Sequence, residues 1–240
     1  MHAFWPKKSA GASGKGISSP EAESEHAGIE FGGTPAWAVK LLRFREVEEW
    51  GLRHFFTLRS EPDVRASDLT KILEEVGMPG CLVMAEQVHG AGVVEVGTKD
   101  GGKVMGGVDS LISRDKNLSL VIRVADCGPV WIEDKATGGI GLVHSGKKGT
   151  EAGVVPATIR KMKERFGSEP KEMRAVLGPC IRPPHYEVDF AGEILRQLAK
   201  ERVGEIVDTK ICTADDLGRF YSYRSEKGKT GRHYAVMAMS

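Results

Sequence analysis

From residue 37 onward the chain is built from short apolar runs separated by glycine, proline and charge. Two periods of apolar recurrence sort those runs into elements. Runs at 37–44, 52–58, 173–177 and 233–239 read as strands. The runs at 81–86, 118–124 and 139–143 are almost continuously apolar, as expected of strands covered on both faces. Helical spacing links Leu69, Ile72, Leu73 and Val76, with Ser67 placed to cap the helix and Gly77 to stop it. A second helix is predicted over 150–166, with Val154, Val155, Thr158, Ile159, Met162 and Phe166 on its inner face and Gly167 at its end. A third is predicted over 190–200. Strands and helices do not alternate strictly, so the expected fold class is α+β, a single domain with mixed β-sheets flanked by helices. That domain spans 36–240, behind a flexible or loosely docked tail at 1–35.

Length and composition fit this picture. The 240 residues are enough for one large domain with a sizeable core. With 34 basic and 33 acidic residues the formal charge is +1, so no global field draws the chain to nucleic acid or to an anionic membrane. Four cysteines, at 81, 127, 180 and 212, are too sparse for a disulfide framework. No apolar run approaches the roughly 18 residues of a membrane span, and the first thirty residues lack the apolar stretch of a signal peptide. A reduced cytoplasmic location is expected, with small-molecule partners and no nucleic acid or membrane. The oligomeric state is left open.

The chemistry concentrates where three apolar runs end. Gln87-Val88-His89-Gly90, Ala125-Asp126-Cys127-Gly128-Pro129 and Gly141-Leu142-Val143-His144-Ser145-Gly146 each place a borderline-soft metal ligand at or just past a predicted strand end. Two imidazoles and one thiolate suit a tetrahedral zinc that keeps its fourth position open, as a catalytic zinc does. The ligands are too far apart in sequence for a zinc finger. A multicopper cluster needs many more imidazoles than the seven histidines provide, and His2 and His26 lie in the tail, so copper is the weaker choice. A second signal follows the third ligand: in Ser145-Gly146-Lys147-Lys148-Gly149-Thr150, a hydroxyl, two ammonium groups and free backbone N–H groups meet at a strand-to-helix junction suited to phosphate. Cys180, Cys81 and Cys212 read as packing thiols, and His185 as a solvated turn residue. Tyr221, Tyr223, Arg224 and Arg232 have two readings, pocket lining or surface ion pairs.

These motifs together resemble the YfiH family, also called the laccase-domain or polyphenol oxidase family. The resemblance is carried by Gln-Val-His-Gly, Ala-Asp-Cys-x-Pro and His-x-Gly-x-x-Gly. It extends to Leu177-Gly178-Pro179-Cys180-Ile181 leading to Tyr186-Glu187-Val188, to Phe220-Tyr221-Ser222-Tyr223-Arg224, and to Thr230-Gly231-Arg232. It covers roughly residues 50 to 240 and implies a fold shared with cytotoxic-necrotising-factor-like deamidases. It also implies a zinc-dependent purine nucleoside enzyme, phosphorolysing adenosine, inosine, guanosine and methylthioadenosine and deaminating adenosine. His89, Cys127 and His144 match the family's metal or catalytic positions, Asp126 the acidic neighbour of the cysteine, and Arg59 the arginine of an early strand. Arg59, Ser145, Lys147 and Lys148 are the expected substrate and phosphate contacts. The chain departs from the family where a Trp-Arg pair becomes Lys147-Lys148, replacing an aromatic wall and a bidentate donor with two point charges. It also lacks the family's glycine-rich turn after Arg59. In the expected mechanism Asp126 or Asp109 moves protons or orients an imidazole. The alternatives are a metal-free cysteine hydrolase or deamidase using Cys127 with His89 or His144, a copper-dependent polyphenol oxidase, and a non-catalytic binding paralogue.

Overall fold

The structure, a computed structural model, describes residues 29–31 and 39–239. Strands β1 (Ile29–Phe31), β2 (Leu41–Arg43) and β3 (Arg53–Thr57) are joined by helix α1 (Arg45–Glu49). Helix α2 (Leu69–Glu75) leads to β4 (Leu82–Ala85), β5 (Val93–Glu95), β6 (Val104–Met105), β7 (Ser110–Ser113), β8 (Ser119–Val124), β9 (Gly128–Asp134) and β10 (Gly139–Ser145). Helices α3 (Lys147–Glu151) and α4 (Val154–Phe166) precede β11 (Met173–Leu177), α5 (Phe190–Lys200), β12 (Glu205–Asp208) and β13 (His233–Ala238). Two mixed sheets result, in the orders β1-β2-β3-β13-β8-β4-β6 and β12-β11-β9-β10-β7-β5, as expected for the α+β class.

The apolar runs are continuous because the central strands are buried on both faces. Leu120 and Ile122 of β8 point into the core between the sheets, where they meet Trp131, Ile140 and Leu142. Val121 points the other way, onto Leu69, Ile72 and Leu73 of α2. Across the second sheet, Val130, Ile132 and Val143 pack beneath α4 and α5. The order is therefore helix, sheet, sheet, helix pair. Trp131 is fully buried, and its indole N–H donates to the Val236 carbonyl at 3.0 Å, tying the two sheets across their shared core.

Several boundaries differ from the sequence expectation. The run at 37–44 supplies only Leu41–Arg43, because buried Phe44 leaves the strand to start α1; Trp37 lies outside the described residues. Ser67 sits in a 3-10 turn, and Asp68, accepting the Arg65 N–H at 2.9 Å, closes that turn ahead of α2. The helix expected over 150–166 is two helices. Gly153 at φ +77° interrupts it, so Lys147 and Lys148 already lie in the short α3. Within the stretch read as a tail, Ile29–Phe31 pairs antiparallel with β2; His2 and His26 lie outside the described residues. Among the described residues no helix is long and apolar enough to cross a membrane.

Candidate metal centre and cleft

Three strand ends deliver the three expected ligands to one place. β4 and β8 run parallel and side by side, so the loops leaving both emerge at the same edge, the first carrying His89 and the second Cys127. His144 is the penultimate residue of β10. There the pairing of Ser145 with Gly128 of β9 puts Cys127 just beyond the ladder. One ligand atom from each of His89, Cys127 and His144 lies within 4.8 Å of the others. The two imidazoles meet edge to face, 4.9 Å between centroids. A Cβ built at Gly146 would collide with Cys127 Sγ, so the glycine is what lets the thiol reach this position.

The backbone is held unusually here. Gln87, His89 and Asp126, none of them glycine, adopt φ of +68°, +61° and +85°, a conformation that persists only where its surroundings enforce it. The Gln87 amide does so on one side, donating to the Arg123 carbonyl at 2.5 Å and accepting the Arg123 N–H at 2.8 Å, as a strand residue would. Asp109 does so on the other. Its fully buried carboxylate accepts the N–H groups of His89 at 2.9 Å and Gly90 at 2.8 Å, and it contacts His144 Nδ1 at 2.8 Å. The Asp109 carbonyl also accepts the His144 N–H at 2.8 Å. One side chain thus fixes two ligands and leaves Nε2 of His144 for the centre, the arrangement of a carboxylate that orients a metal-bound imidazole.

Charge at the floor follows from this contact. Burial raises the Asp109 carboxyl, but the bond and charge of His144 together with the N–H groups of Gly90 and His89 outweigh it and leave its pKa below the usual value. Burial disfavours protonated His144, yet Asp109 and Cys127 raise it to about 9. Burial raises the Cys127 thiol, while His144 and His89 bring it down to about 7. The floor therefore stabilises a thiolate beside an imidazolium or, equally, a thiolate and two imidazoles around a cation.

Above the floor opens a cleft of about 1160 Å³, lined by Arg123, Lys147, Lys148, Arg224, Lys227 and Arg232, with Glu86 and Asp126 as its acidic residues and Tyr186, Phe190 and Tyr223 as aromatic walls. Lys147 and Lys148 line it, and so do Tyr223, Arg224 and Arg232, whose reading the sequence left open. Other expected residues are placed elsewhere. Ser145 is buried with its hydroxyl 2.8 Å from that of Thr150. Arg59 borders a separate cavity of about 580 Å³, pairs with Glu226 at 2.7 Å and lies over the Tyr221 ring. Asp126 borders the cleft, but both its oxygens are occupied, by the Thr213 hydroxyl and the Arg224 N–H, each at 2.7 Å. Cys180 is fully buried and its thiol is pushed up to about 12 by burial. His185 pairs with Asp215 at 2.8 Å.

A sequence model of the family described as multi-copper polyphenol oxidoreductase laccase matches residues 57–194 and 188–240. The chain belongs to this laccase-domain family. It is 30% identical over 206 residues to a purine nucleoside phosphorylase of Corynebacterium glutamicum, covering 74% of this chain and 82% of that protein. Identity to a purine nucleoside phosphorylase of Streptomyces coelicolor is 28% over 233 residues, covering 85% and 93%. The crystal structure of YlmD from Geobacillus stearothermophilus has the same fold, with a TM-score of 0.75 at 21% identity over 88% of this chain and 99% of that one. So does that of YfiH from Bacillus licheniformis, with a TM-score of 0.72 at 22% identity over 87% and 98%. The other described histidines, His54, His185 and His233, stand apart from this cluster: among the described residues only His89, Cys127 and His144 form a group able to share a metal.

Proposed function

We propose that this protein is a cytoplasmic zinc-dependent purine nucleoside phosphorylase, acting on adenosine, inosine, guanosine and methylthioadenosine and deaminating adenosine. Residues 36–240 are its catalytic domain and 1–35 a loosely docked tail, of which Ile29–Phe31 adds a strand to the domain's sheet. The reading is supported above all by three borderline-soft donors within 4.8 Å of one another at the floor of a cation-lined cleft. The donor set fits zinc with an open fourth position, and the carboxylate of Asp109 behind His144 is the usual partner of such a ligand. When bound, zinc supplies a Lewis acid at the cleft floor.

The chain's own residues supply the rest. Lys147 and Lys148 hold inorganic phosphate, whose oxygen attacks C1′ of the sugar as the bond from C1′ to the purine nitrogen breaks, giving ribose 1-phosphate and free base. Their charge lowers the barrier by meeting the phosphate in the orientation it needs. Tyr186 and Tyr223 offer faces on which a purine stacks. Asp109 keeps His144 oriented. Asp126 positions the Cys127 loop through Thr213 and Arg224 and does not move a proton, since both its oxygens are engaged. Arg59 and Ser145 support the site from behind: Arg59 holds Glu226 and the Phe220 carbonyl, at the start of the segment that carries Tyr223 and Arg224.

A second reading rests on the same geometry, Cys127 within 4.8 Å of two imidazoles, where contact with His144 and His89 lowers the thiol toward the thiolate of a cysteine hydrolase. A panel of nucleosides with and without phosphate, read by product identification on zinc-loaded protein, decides between them. The phosphorylase reading expects free base and ribose 1-phosphate only when phosphate is present, and inosine from adenosine in either case. No product from any nucleoside would overturn it.

A further inference from the structure

The cations around the cleft outnumber what one phosphate ion requires. Six basic side chains face two acidic ones, and both acids are committed: Asp126 to Thr213 and Arg224, and Glu86 to the Gly107 N–H. Two of the cations are also engaged. Arg224 pairs with Glu187 at 2.8 Å, and Arg232 donates to the Thr230 and Gly231 carbonyls while lying over the Tyr223 ring. Arg123, Lys147, Lys148 and Lys227 remain. All four are exposed, and none has a carboxylate partner among the described residues. Lys147 and Lys148 are neighbours on α3, while Arg123 on β8 and Lys227 on the loop before β13 line the same cleft from other elements.

Like charges sharing a concave, partly desolvated space repel one another, and an anion placed among them removes that repulsion. The α3 pair matches the charge of one inorganic phosphate. Arg123 and Lys227 then have no counterion in a reaction between phosphate and an uncharged nucleoside. The chain as a whole carries only +1, so no net basic charge draws it to a polyanion. That favours a small anion over a nucleic-acid backbone, which needs a basic stripe along its length. Space is sufficient, since about 1160 Å³ exceeds the roughly 300 to 1,000 Å³ of ordinary ligand clefts.

We propose that the cleft also takes a nucleoside 5′-phosphate, with Arg123 and Lys227 holding the phosphate ester and Lys147 and Lys148 left for the second anion. The assignment rests on the reading of the cleft as a purine nucleoside site and adds a charged ligand to the uncharged nucleosides of that reading.

The experiment is calorimetric titration of zinc-loaded full-length protein with adenosine 5′-monophosphate and with adenosine, in buffer without phosphate. The nucleotide is expected to bind at least about tenfold tighter, with an advantage that shrinks as salt is raised. In the Arg123→Gln, Lys227→Gln double variant, which keeps the side-chain stems, the ratio of the two affinities is expected to fall about tenfold. Equal affinities, a preference for adenosine or no measurable nucleotide binding would overturn the proposal. So would a ratio unchanged in that variant but collapsed in Lys147→Gln, Lys148→Gln, because the ester would then sit on α3. Turnover is scored separately. If the nucleotide preference and its dependence on Arg123 and Lys227 hold while neither compound is cleaved in the presence of phosphate, the phosphorylase reading falls and this one stands.

Discussion

The floor and the rim of the cleft are built on opposite principles. At the floor, His144 and the His89 backbone are both held by Asp109, the Gly146 position admits nothing larger than hydrogen, and the backbone is kept in conformations that only tight surroundings sustain. At the rim, Lys147, Lys148, Arg123 and Lys227 project without carboxylate partners. A site preorganised for a cation must be rigid, since metal geometry tolerates little error. A site for a mobile anion gains from charge left unpaired until the ligand arrives.

The contrast breaks most readily at Asp109. Asp109→Ala removes one partner of a buried charged contact and strands two backbone N–H groups. The expected destabilisation is about 3 to 5 kcal/mol, with metal affinity weakened about 10- to 100-fold. Urea denaturation and a competitive metal titration measure both, and a variant with unchanged metal affinity would show that the floor is not organised by this carboxylate.

A smaller effect should separate the rim's scaffold from the floor. The segment bearing Tyr223, Arg224 and Lys227 is anchored on neutral His233, which accepts the Tyr221 N–H at 2.7 Å and donates from Nδ1 to the Thr57 carbonyl at 2.6 Å. Burial is the main cause that lowers its pKa from 6.5 to about 3. The unfolded chain therefore binds this proton first as pH falls. The stability His233 contributes is fully present above pH 6.5 and is lost progressively toward pH 3, about 2 kcal/mol by pH 5. Melts of wild type and His233→Gln from pH 7.5 to pH 5 test this; the same pH slope in both would remove His233 from the account.

The smallest expected effect lies on the rim itself. Lys148→Ala should lower phosphorolysis about tenfold through the loss of one charge-assisted contact, leaving adenosine deamination and the melting temperature nearly unchanged. Lys148→Arg is expected to recover the loss through its forked donor. Equal losses in both activities would make the lysine a general pocket residue rather than a phosphate ligand.

The floor was more legible in the sequence than the rim. His89, Cys127 and His144 each follow a short apolar run that reads as a buried strand, so their place at strand ends was legible, while the pairing of β4 with β8 and of β9 with β10 that brings them together was not. Strands β11 and β13 and helix α5 were equally plain, and α2 was recognisable although its capping residue was not. β9 was hidden because Pro129, Glu133 and Asp134 interrupt its apolar character. In the fold, Glu133 is satisfied by Arg174 at 2.9 Å and Asp134 by the Thr137 hydroxyl at 2.6 Å. β5, β6 and β12 are too short and too exposed to leave a pattern. Asp109 follows Gly106-Gly107-Val108 with no strand signal before it, so sequence left it level with Asp126, and only the pairing of β7 with β10 brings it against His144. Arg123 and Lys227 depend on side-chain direction across distant elements, which no local pattern encodes. Arg59 had a motif position but is turned toward Glu226 and Tyr221.

The most direct test of the account is the metal content of the protein purified without a nickel column, measured by elemental mass spectrometry in wild type and in Cys127→Ala. About one zinc per wild-type chain is expected, near none in the variant, and a melting temperature that chelator lowers in the wild type only, because a ligand bound solely to the folded state stabilises it. Zinc retained in full by Cys127→Ala, or a wild type that takes up no metal and does not respond to chelator, would contradict it.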